Sequence, residues 1–307
     1  MTELSIIIPT FNRENIIKNT IIELVKSIKN INAEIIIIND GNKDFKLSID
    51  DARIKIFNNK GKGAAAARNT GAQLATSDII LFLDDDIILS EVALKTLLSY
   101  TLKNPQNIYL TNWEYPGYLL KSLKNHSFGR YLINKNLTNL KGWAKINVTE
   151  NDSLIELPNG ASYCLMIHKN VFFKVGGYNQ QFPYAGAEDF EFCQRLKTNG
   201  IKFYLIPNIT VLHNESDRTE LINWLERKER DSLTKRILVG LGYTEYQINY
   251  SLTKSFLLRI IYHTKSVYLF TLKFIPNIYF FDALYFKLVD IILASYIYYG
   301  YNKKYEK

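Results

Sequence analysis

The stretch IILFLDDD at residues 79–86 decides the fold. Five apolar residues, Ile79 to Leu83, run straight into three carboxylates, Asp84, Asp85 and Asp86. A short unbroken apolar run with sharp polar ends is the pattern of a strand buried on both faces, as in a parallel sheet covered by helices. Three adjacent carboxylates at its carboxyl end need a cation or many hydrogen bonds if they are to be buried together. In open α/β sheets, ligands bind beyond the carboxyl ends of the strands. A divalent metal held there by oxygen ligands would relieve the repulsion and receive phosphate. The triplet also fits a solvated acidic turn leading into a helix capped by Ser90.

Upstream, the pattern of buried strand and helix repeats. LSIII at 4–8 is a strand closed by Pro9, and PTFNRE turns into a helix reaching about Lys29, with Ile16, Ile17, Ile21, Leu24, Val25 and Ile28 at helical spacing. EIIII at 34–38 is a second strand followed by the turn Asn39-Asp40-Gly41, and residues 54–57 form a third, short one. Gly61-Lys62-Gly63 leads into the small-residue helix AAAARNTGAQLA. Strands alternating with helices imply βαβ units, a mostly parallel sheet and right-handed crossovers. These rules gather Thr10, Asp40 and the Asp84–Asp86 triplet at one rim.

Downstream, residues 90–103 read as an amphipathic helix ended by Asn104-Pro105. From 109 to 150 the periodicity weakens, and Trp113 and Trp143 fall in what reads as a substrate-facing excursion or irregular packing. Strands at 154–157 and 163–167 flank Pro158-Asn159-Gly160, and a helix from Lys169 stops at Gly176-Gly177. GAED opens a helix to about Thr198, and residues 203–206 and 209–213 read as two last strands.

The chain of 307 residues allows one large or two modest domains, and 47% hydrophobic with 22% charged residues is ordinary for a globular protein. Two cysteines, Cys164 and Cys193, provide neither a disulfide framework nor metal-knuckle spacing, so a reducing compartment is the simpler expectation. The amino-terminal stretch MTELSIIIPTF carries Glu3 where a signal peptide needs positive charge, which predicts a cytoplasmic protein.

Individually, the polar motifs have plain readings. Gly61-Lys62-Gly63 with Arg68 matches an anion-holding turn before a helix, or simply a helix-leading turn; it is neither a Walker loop nor GxGxxG. Glu188 and Asp189 suit a first helical turn for the macrodipole alone, and a base among them would need to reach a hydroxyl. His213 at a strand end is a metal ligand or an ordinary rim residue.

Taken in order, PTFNR at 9–13, Asn39-Asp40-Gly41, KGKGAAAARNTG at 60–71, FLDDD at 82–86, VGGYN at 175–179, AGAEDFEFCQRL at 185–196 and VLH at 211–213 resemble the family 2 glycosyltransferases of GT-A fold. The resemblance covers residues 2–214. It implies an α/β, Rossmann-like, mostly parallel sheet flanked by helices, with a nucleotide sugar across the strand ends, usually a UDP-sugar. It implies Thr10, Arg13, Asp40 and Arg68 as nucleotide contacts, and Asp84 and Asp86 as the ends of a DxD motif around Asp85 in the same nucleotide-sugar site. Mn²⁺ or Mg²⁺ would be held by Asp86, His213 and Asp84. Asp189 would be the catalytic base, with Glu188 as its acceptor-site neighbour. The common EDxDL reads EDFEF here, with Glu191 at the third acidic position.

The expected organisation is therefore a catalytic domain over residues 1–218, with a nucleotide-sugar half to about 105 and an acceptor half to about 218. Residues 219–307 form a helical, aromatic- and Lys-rich extension. The expected activity is inverting transfer of a hexose or N-acetylhexosamine to a glycan or lipid-linked acceptor. Two alternatives are a non-catalytic carbohydrate- or nucleotide-binding protein on the same scaffold and a nucleotidyltransferase, which would carry a glycine-rich signature where PTFNR stands.

From 251 to 307 the extension holds eight Lys/Arg against three Asp/Glu, which places +5 of the +8 formal charge there. It also holds 15 of the 38 Tyr and Phe. Basic and aromatic together suggest helices lying on the inner face of the cytoplasmic membrane, or equally a packed accessory domain or a homo-oligomer interface. Nucleic acid is disfavoured, because no readout module is evident. The longest uncharged stretch, residues 291–302, is short of the ~20 residues needed to span a bilayer.

Overall fold

The computed structural model describes residues 2–41, 45–144, 146 and 153–303, leaving the side chain of Trp143 outside the description. Among the described residues, nine strands appear in chain order: β1 Leu4–Thr10, β2 Ala33–Asn39, β3 Ile54–Asn58, β4 Ile79–Leu83, β5 Ile87–Ile88, β6 Asn107–Glu114, β7 Ile155–Leu157, β8 Cys164–His168 and β9 Lys202–His213. The helices α1 Glu14–Ser27, α2 Gly63–Leu74, α3 Glu91–Lys103, α4 Gly117–Lys124, α5 Ser127–Asn134, α6 Leu140–Ala144, α7 Lys169–Lys174 and α8 Glu188–Thr198 alternate with them, and α9 Leu221–Gly240, α10 Leu252–His263, α11 Lys265–Phe274 and α12 Asp282–Asn302 follow. The chain divides into two units. The first comprises Met1–Pro116, Asn139–Pro183 and Glu188–Asn214, and the second Gly117–Thr138, Tyr184–Ala187 and Glu215–Lys307.

In the first unit, a five-stranded sheet runs β3-β2-β1-β4-β8. The first four strands are parallel, with Ile6 opposite both Ile35 and Leu81, and β8 joins antiparallel through Leu81 opposite Met166. Ile6, Ile7, Ile8, Ile35, Ile36, Ile37 and Ile38 are all fully buried. β-Branched runs buried on both faces are what a helix-covered parallel sheet demands. Ser90 caps α3 by accepting a hydrogen bond from the Ala93 N–H at 3.2 Å.

A second sheet, β5-β9-β6 with β7 also on β9, differs from the sequence expectation three times, first in the two-residue strand β5, which the sequence pattern does not announce. Residues 107–114 form an eight-residue strand, buried on both faces from Ile108 to Trp113, so the alternation that marks a half-exposed strand is missing. Residues 203–206 and 209–213 belong to one strand. The register of β6 on β9 slips between Thr111 and Asn112, leaving 207–209 as a bulge around Pro207. Proline cannot donate to the ladder, which is why the interruption sits there. Beyond the bulge, β9 pairs antiparallel with β5 and sets His213 opposite Ile87.

The amino-terminal edge of the large sheet is tied by Glu34, a buried carboxylate. It accepts from the Ser5 hydroxyl at 2.7 Å, Thr76 N–H at 2.7 Å, Thr76 hydroxyl at 2.6 Å and Lys55 Nζ at 2.9 Å. Burial alone would raise its pKa, but these donors outweigh burial and bring it to about 2. Because the folded value lies below the ordinary 4.5, the stabilisation is complete above that pH and is lost as pH falls through about 2. Glu34→Gln is expected to cost about 3 kcal/mol at pH 7. In denaturant titrations the gap to the parent should close between pH 5 and 2.

In the second unit, α12 packs on α9 in near backbone contact. A Cβ built on Gly300 would stand 2.1 Å from the carbonyl oxygen of Glu229. Gly300→Ala must therefore separate the two helices, at a cost of about 1–3 kcal/mol. Thermal unfolding is expected several degrees lower. An unchanged Tm would show that these helices slide freely.

Candidate active site at the carboxyl rim of the sheet

The triplet Asp84–Asp86 occupies the turn between β4 and β5, where strand ends converge. Arginines, donated by distant parts of the chain, compensate its charge. Arg13, at the start of α1, donates to Asp85 and, at 2.8 Å, to Asp86. Thr10 at the end of β1 donates its hydroxyl to Asp85 at 2.7 Å, and Thr20 donates to the Asp85 carbonyl at 2.6 Å. Asp85 and Asp86 are buried, whereas the Asp84 side chain remains one-third exposed. The triplet is thus a paired and partly buried cluster rather than a solvated turn.

Arg68, from α2 and itself buried, joins the triplet to the acids of α8. It donates to Asp84 at 2.8 Å and to Glu188 at 2.9 Å. Burial would lower its pKa, but the facing Asp84 and Glu188 charges outweigh burial and raise it. Glu188 is buried against this guanidinium, while Asp189 beside it is only half-buried. Asp189 accepts the Phe190 N–H at 2.7 Å. Burial first, and then the neighbouring Glu188 charge, push its pKa up to about 7, against the pull of Arg68. A carboxylate poised near neutral pH suits proton transfer better than one held near 4.

On the other flank of the triplet, His213 Nε2 lies 3.2 Å from Asp86 Oδ1. The two are brought together because β5 follows the triplet directly and pairs with the end of β9. The Asn214 N–H donates to the Asp86 carbonyl at 2.7 Å and locks this junction. Trp113 and Tyr115, at and just beyond the end of β6, meet the imidazole edge-on with ring centroids 5.1 and 6.0 Å away. A carboxylate oxygen and an imidazole nitrogen at this spacing are a donor pair suited to a divalent cation of Mn²⁺, Mg²⁺ or Zn²⁺ type.

Asp40 lies at the same rim but makes separate contacts. Its oxygens accept from Asn59 at 2.7 Å and from the Gly63 N–H at 2.9 Å. The Gly61 N–H is bonded to the Asn59 side chain at 3.2 Å. The glycine-rich turn therefore directs these two N–H groups to side chains of the protein, which is the behaviour of a capped helix start. Sequence reasoning passed over Phe11, whose ring is 56% exposed between Thr10 and Arg13 at the rim. An apolar residue inside an otherwise polar turn was the available signal, and the structure adds Asn12 at φ 53° beside it. Both cysteines are buried and free, and burial pushes both thiols up, Cys164 to about 12, which disfavours the thiolate at neutral pH.

Comparisons with known proteins bear on the family and the fold. Residues 5–164 match the sequence profile described as glycosyl transferase family 2, and residues 156–216 that of the N-terminal domain of galactosyltransferase. Chondroitin synthase of Pasteurella multocida is 28% identical over 76% of this chain and 27% of its own length. A UDP-Glc:alpha-D-GlcNAc-diphosphoundecaprenol beta-1,3-glucosyltransferase of Escherichia coli is 37% identical over 36% of this chain and 45% of its own. The chain thus spans about a quarter to a half of the length of these curated relatives. The crystal structure of GalNAc-T7 with UDP, GalNAc and Mn²⁺ shares the fold at a TM-score of 0.53 and 18% identity, covering 69% of this chain and 43% of that one. With half of its residues matched to one profile, a mixed α/β core of GT-A type and a charged rim at the strand ends, the chain belongs to glycosyl transferase family 2.

Proposed function

We propose that this chain is a metal-dependent, inverting glycosyltransferase that moves a sugar from a nucleotide sugar, a UDP-sugar first among them, to a hydroxyl of a polysaccharide or lipid-linked glycan. The observation that carries the reading is the division of one rim into two poles. Asp86 and His213 pair at one end of the triplet, and at the other end Asp84 is joined through Arg68 to Glu188, the chain neighbour of the half-buried Asp189. The chondroitin synthase and diphosphoundecaprenol glucosyltransferase similarities support the acceptor class.

Asp86 and His213 are the residues that would hold Mn²⁺ or Mg²⁺, with Asp84, partly exposed and paired to Arg68, two residues before Asp86, and Glu215 two residues after His213. A divalent ion bound there supplies Lewis-acid neutralisation of the departing diphosphate. Arg13, released in part from Asp85 and Asp86, and Thr10 would orient the nucleotide; the exposed Phe11 ring offers a face on which a base stacks. Asp40 would receive the nucleoside at the far end of the rim. The acceptor oxygen attacks the anomeric carbon as the bond to the phosphate oxygen breaks, and the electron pair leaves with the diphosphate. The acceptor proton passes to Asp189, which Glu188 and Arg68 hold in place. One displacement inverts the anomeric centre. The reading also places the chain on the cytoplasmic side, where nucleotide sugars and lipid-linked acceptors meet.

Product stereochemistry tests this mechanism. An α-linked donor is expected to give a β-linked product by NMR coupling constants, and retention would overturn the single displacement. Arg68→Met should lower kcat while leaving the anomeric outcome unchanged, because it removes the support of Glu188 and Asp84 and not the base. An unchanged kcat would mean that this bridge is merely structural.

A further inference from the structure

Half of the large apolar side chains that stand exposed among the described residues, eleven of twenty-two, fall between Leu252 and Leu284 in the second unit. They follow helical spacing. Leu252, Phe256 and Ile260 recur every four residues on α10, and Val267, Phe270 and Phe274 form an i, i+3, i+7 stripe on α11. Such a stripe ordinarily faces a core. Here α11 buries only Leu272 of its ten residues. The turn after it exposes Ile278, Tyr279 and Phe280 at 54%, 72% and 84%.

Along this segment the side-chain charge has one sign, while Glu229 of α9 meets α10 at the buried Tyr262 hydroxyl, 2.8 Å away. Residues 251–281 contain Lys254, Arg259, Lys265 and Lys273, and no aspartate or glutamate. Among the described residues, the two acids that follow, Asp282 and Asp290, are paired within the unit. Asp282 accepts two hydrogen bonds of 2.7 Å from Arg130, and Asp290 accepts from Tyr131 at 2.9 Å and Lys135 at 2.7 Å. No helix among the described residues is long and apolar enough to cross a membrane.

We propose that α10, α11 and the turn at 278–280 form a docking surface for a bilayer rich in anionic lipid, entered by the exposed aromatic and aliphatic side chains and held by the four basic residues. A lipid surface offers both things the patch lacks, opposite charge and apolar depth. A second copy of the chain offers apolar area but brings basic residues against basic residues. The inference stands on the second unit alone and does not depend on the transfer chemistry.

The test is cosedimentation of the full chain with vesicles of phosphatidylcholine and phosphatidylglycerol, against vesicles of phosphatidylcholine alone. Binding is expected to favour the anionic vesicles and to weaken with salt. Phe270→Ser combined with Phe274→Ser should lower vesicle partitioning by at least about tenfold, from the lost burial of two aromatic rings. Lys254→Glu with Lys273→Glu should lower it by about fivefold or more per residue and remove the anionic preference. All four positions are exposed, so Tm and the release of nucleotide from a soluble donor should not change. Equal sedimentation of parent and variants would overturn the proposal. So would a concentration-dependent dimer that these substitutions abolish, because the patch would then be a self-interface.

Discussion

Asp189→Asn is expected to lower kcat for transfer by about 10²–10⁴-fold, the usual contribution of a positioned base, while metal-dependent binding of the nucleotide stays within a few-fold of the parent. The separation follows from position. Asp189 accepts the Phe190 N–H at 2.7 Å, whereas the candidate metal pair is Asp86 and His213. The same substitution carries a stability signature of opposite sign. Burial and the Glu188 charge raise the folded pKa of Asp189 to about 7 from the ordinary 3.8, so the folded state binds the proton more tightly than the unfolded one. Ionising this residue therefore costs stability, progressively as pH rises from about 4 to about 7. Asparagine, which cannot ionise, is expected to raise Tm at pH 8 relative to the parent, and the advantage should vanish near pH 4. In the parent, kcat/KM should fall as pH drops through about 7, when the base becomes protonated. A variant inactive at every pH but without the gain in Tm at pH 8 would mean that Asp189 sits in water and that the loss has another origin.

Asp86→Ala is expected to abolish turnover and also to weaken nucleotide binding in Mn²⁺ by about 100-fold or more, the upper range for losing a directly coordinating group or its support. Asp86 faces His213 Nε2 at 3.2 Å on one side and Arg13 at 2.8 Å on the other. Removing it dismantles the donor pair and also frees Arg13 to turn fully toward Asp85. His213→Ala separates these two effects, since it leaves both arginine contacts in place. Calorimetric titration of UDP should show the affinity of the parent dropping on EDTA addition, and both variants binding alike with and without the chelator. A variant that kept its metal response would exclude the pair as the metal site.

Strands β1, β2 and β4 were legible because each is a run of almost wholly buried residues with abrupt polar ends. Residues 79–83 were delimited to the residue, and Thr10, Asp40 and Asp84 follow from the rule that ligands gather at carboxyl ends. What could not be read is which side chains meet. Arg68 and Glu188 lie 120 positions apart, and Arg13 and Asp85 are separated by 72. Such pairings depend on crossovers and crossing angles that no local pattern encodes. The triplet was correctly expected to need compensation, but the sequence does not say that two arginines supply much of it. The meeting of His213 with Asp86 rests on β5, a strand of two residues, and on a bulge at Pro207 that breaks the apolar run of β9 into two. β6 escaped notice for the converse reason, since a strand buried on both faces and carrying Thr111 and Asn112 shows neither alternation nor an unbroken apolar run.

The central claim is that this rim cleaves a nucleotide sugar with the help of a divalent ion. Release of free nucleotide from a panel of UDP-, GDP-, dTDP- and CMP-sugars by the purified chain, with Mn²⁺ and then with EDTA, tests it most directly. The account predicts slow release from one donor, a UDP-sugar, that stops on chelation and is absent in Asp86→Ala. Release that EDTA leaves untouched would contradict the metal pole. Neither release nor calorimetric nucleotide binding across the panel would place the chain among scaffolds that retain the family fold without its chemistry.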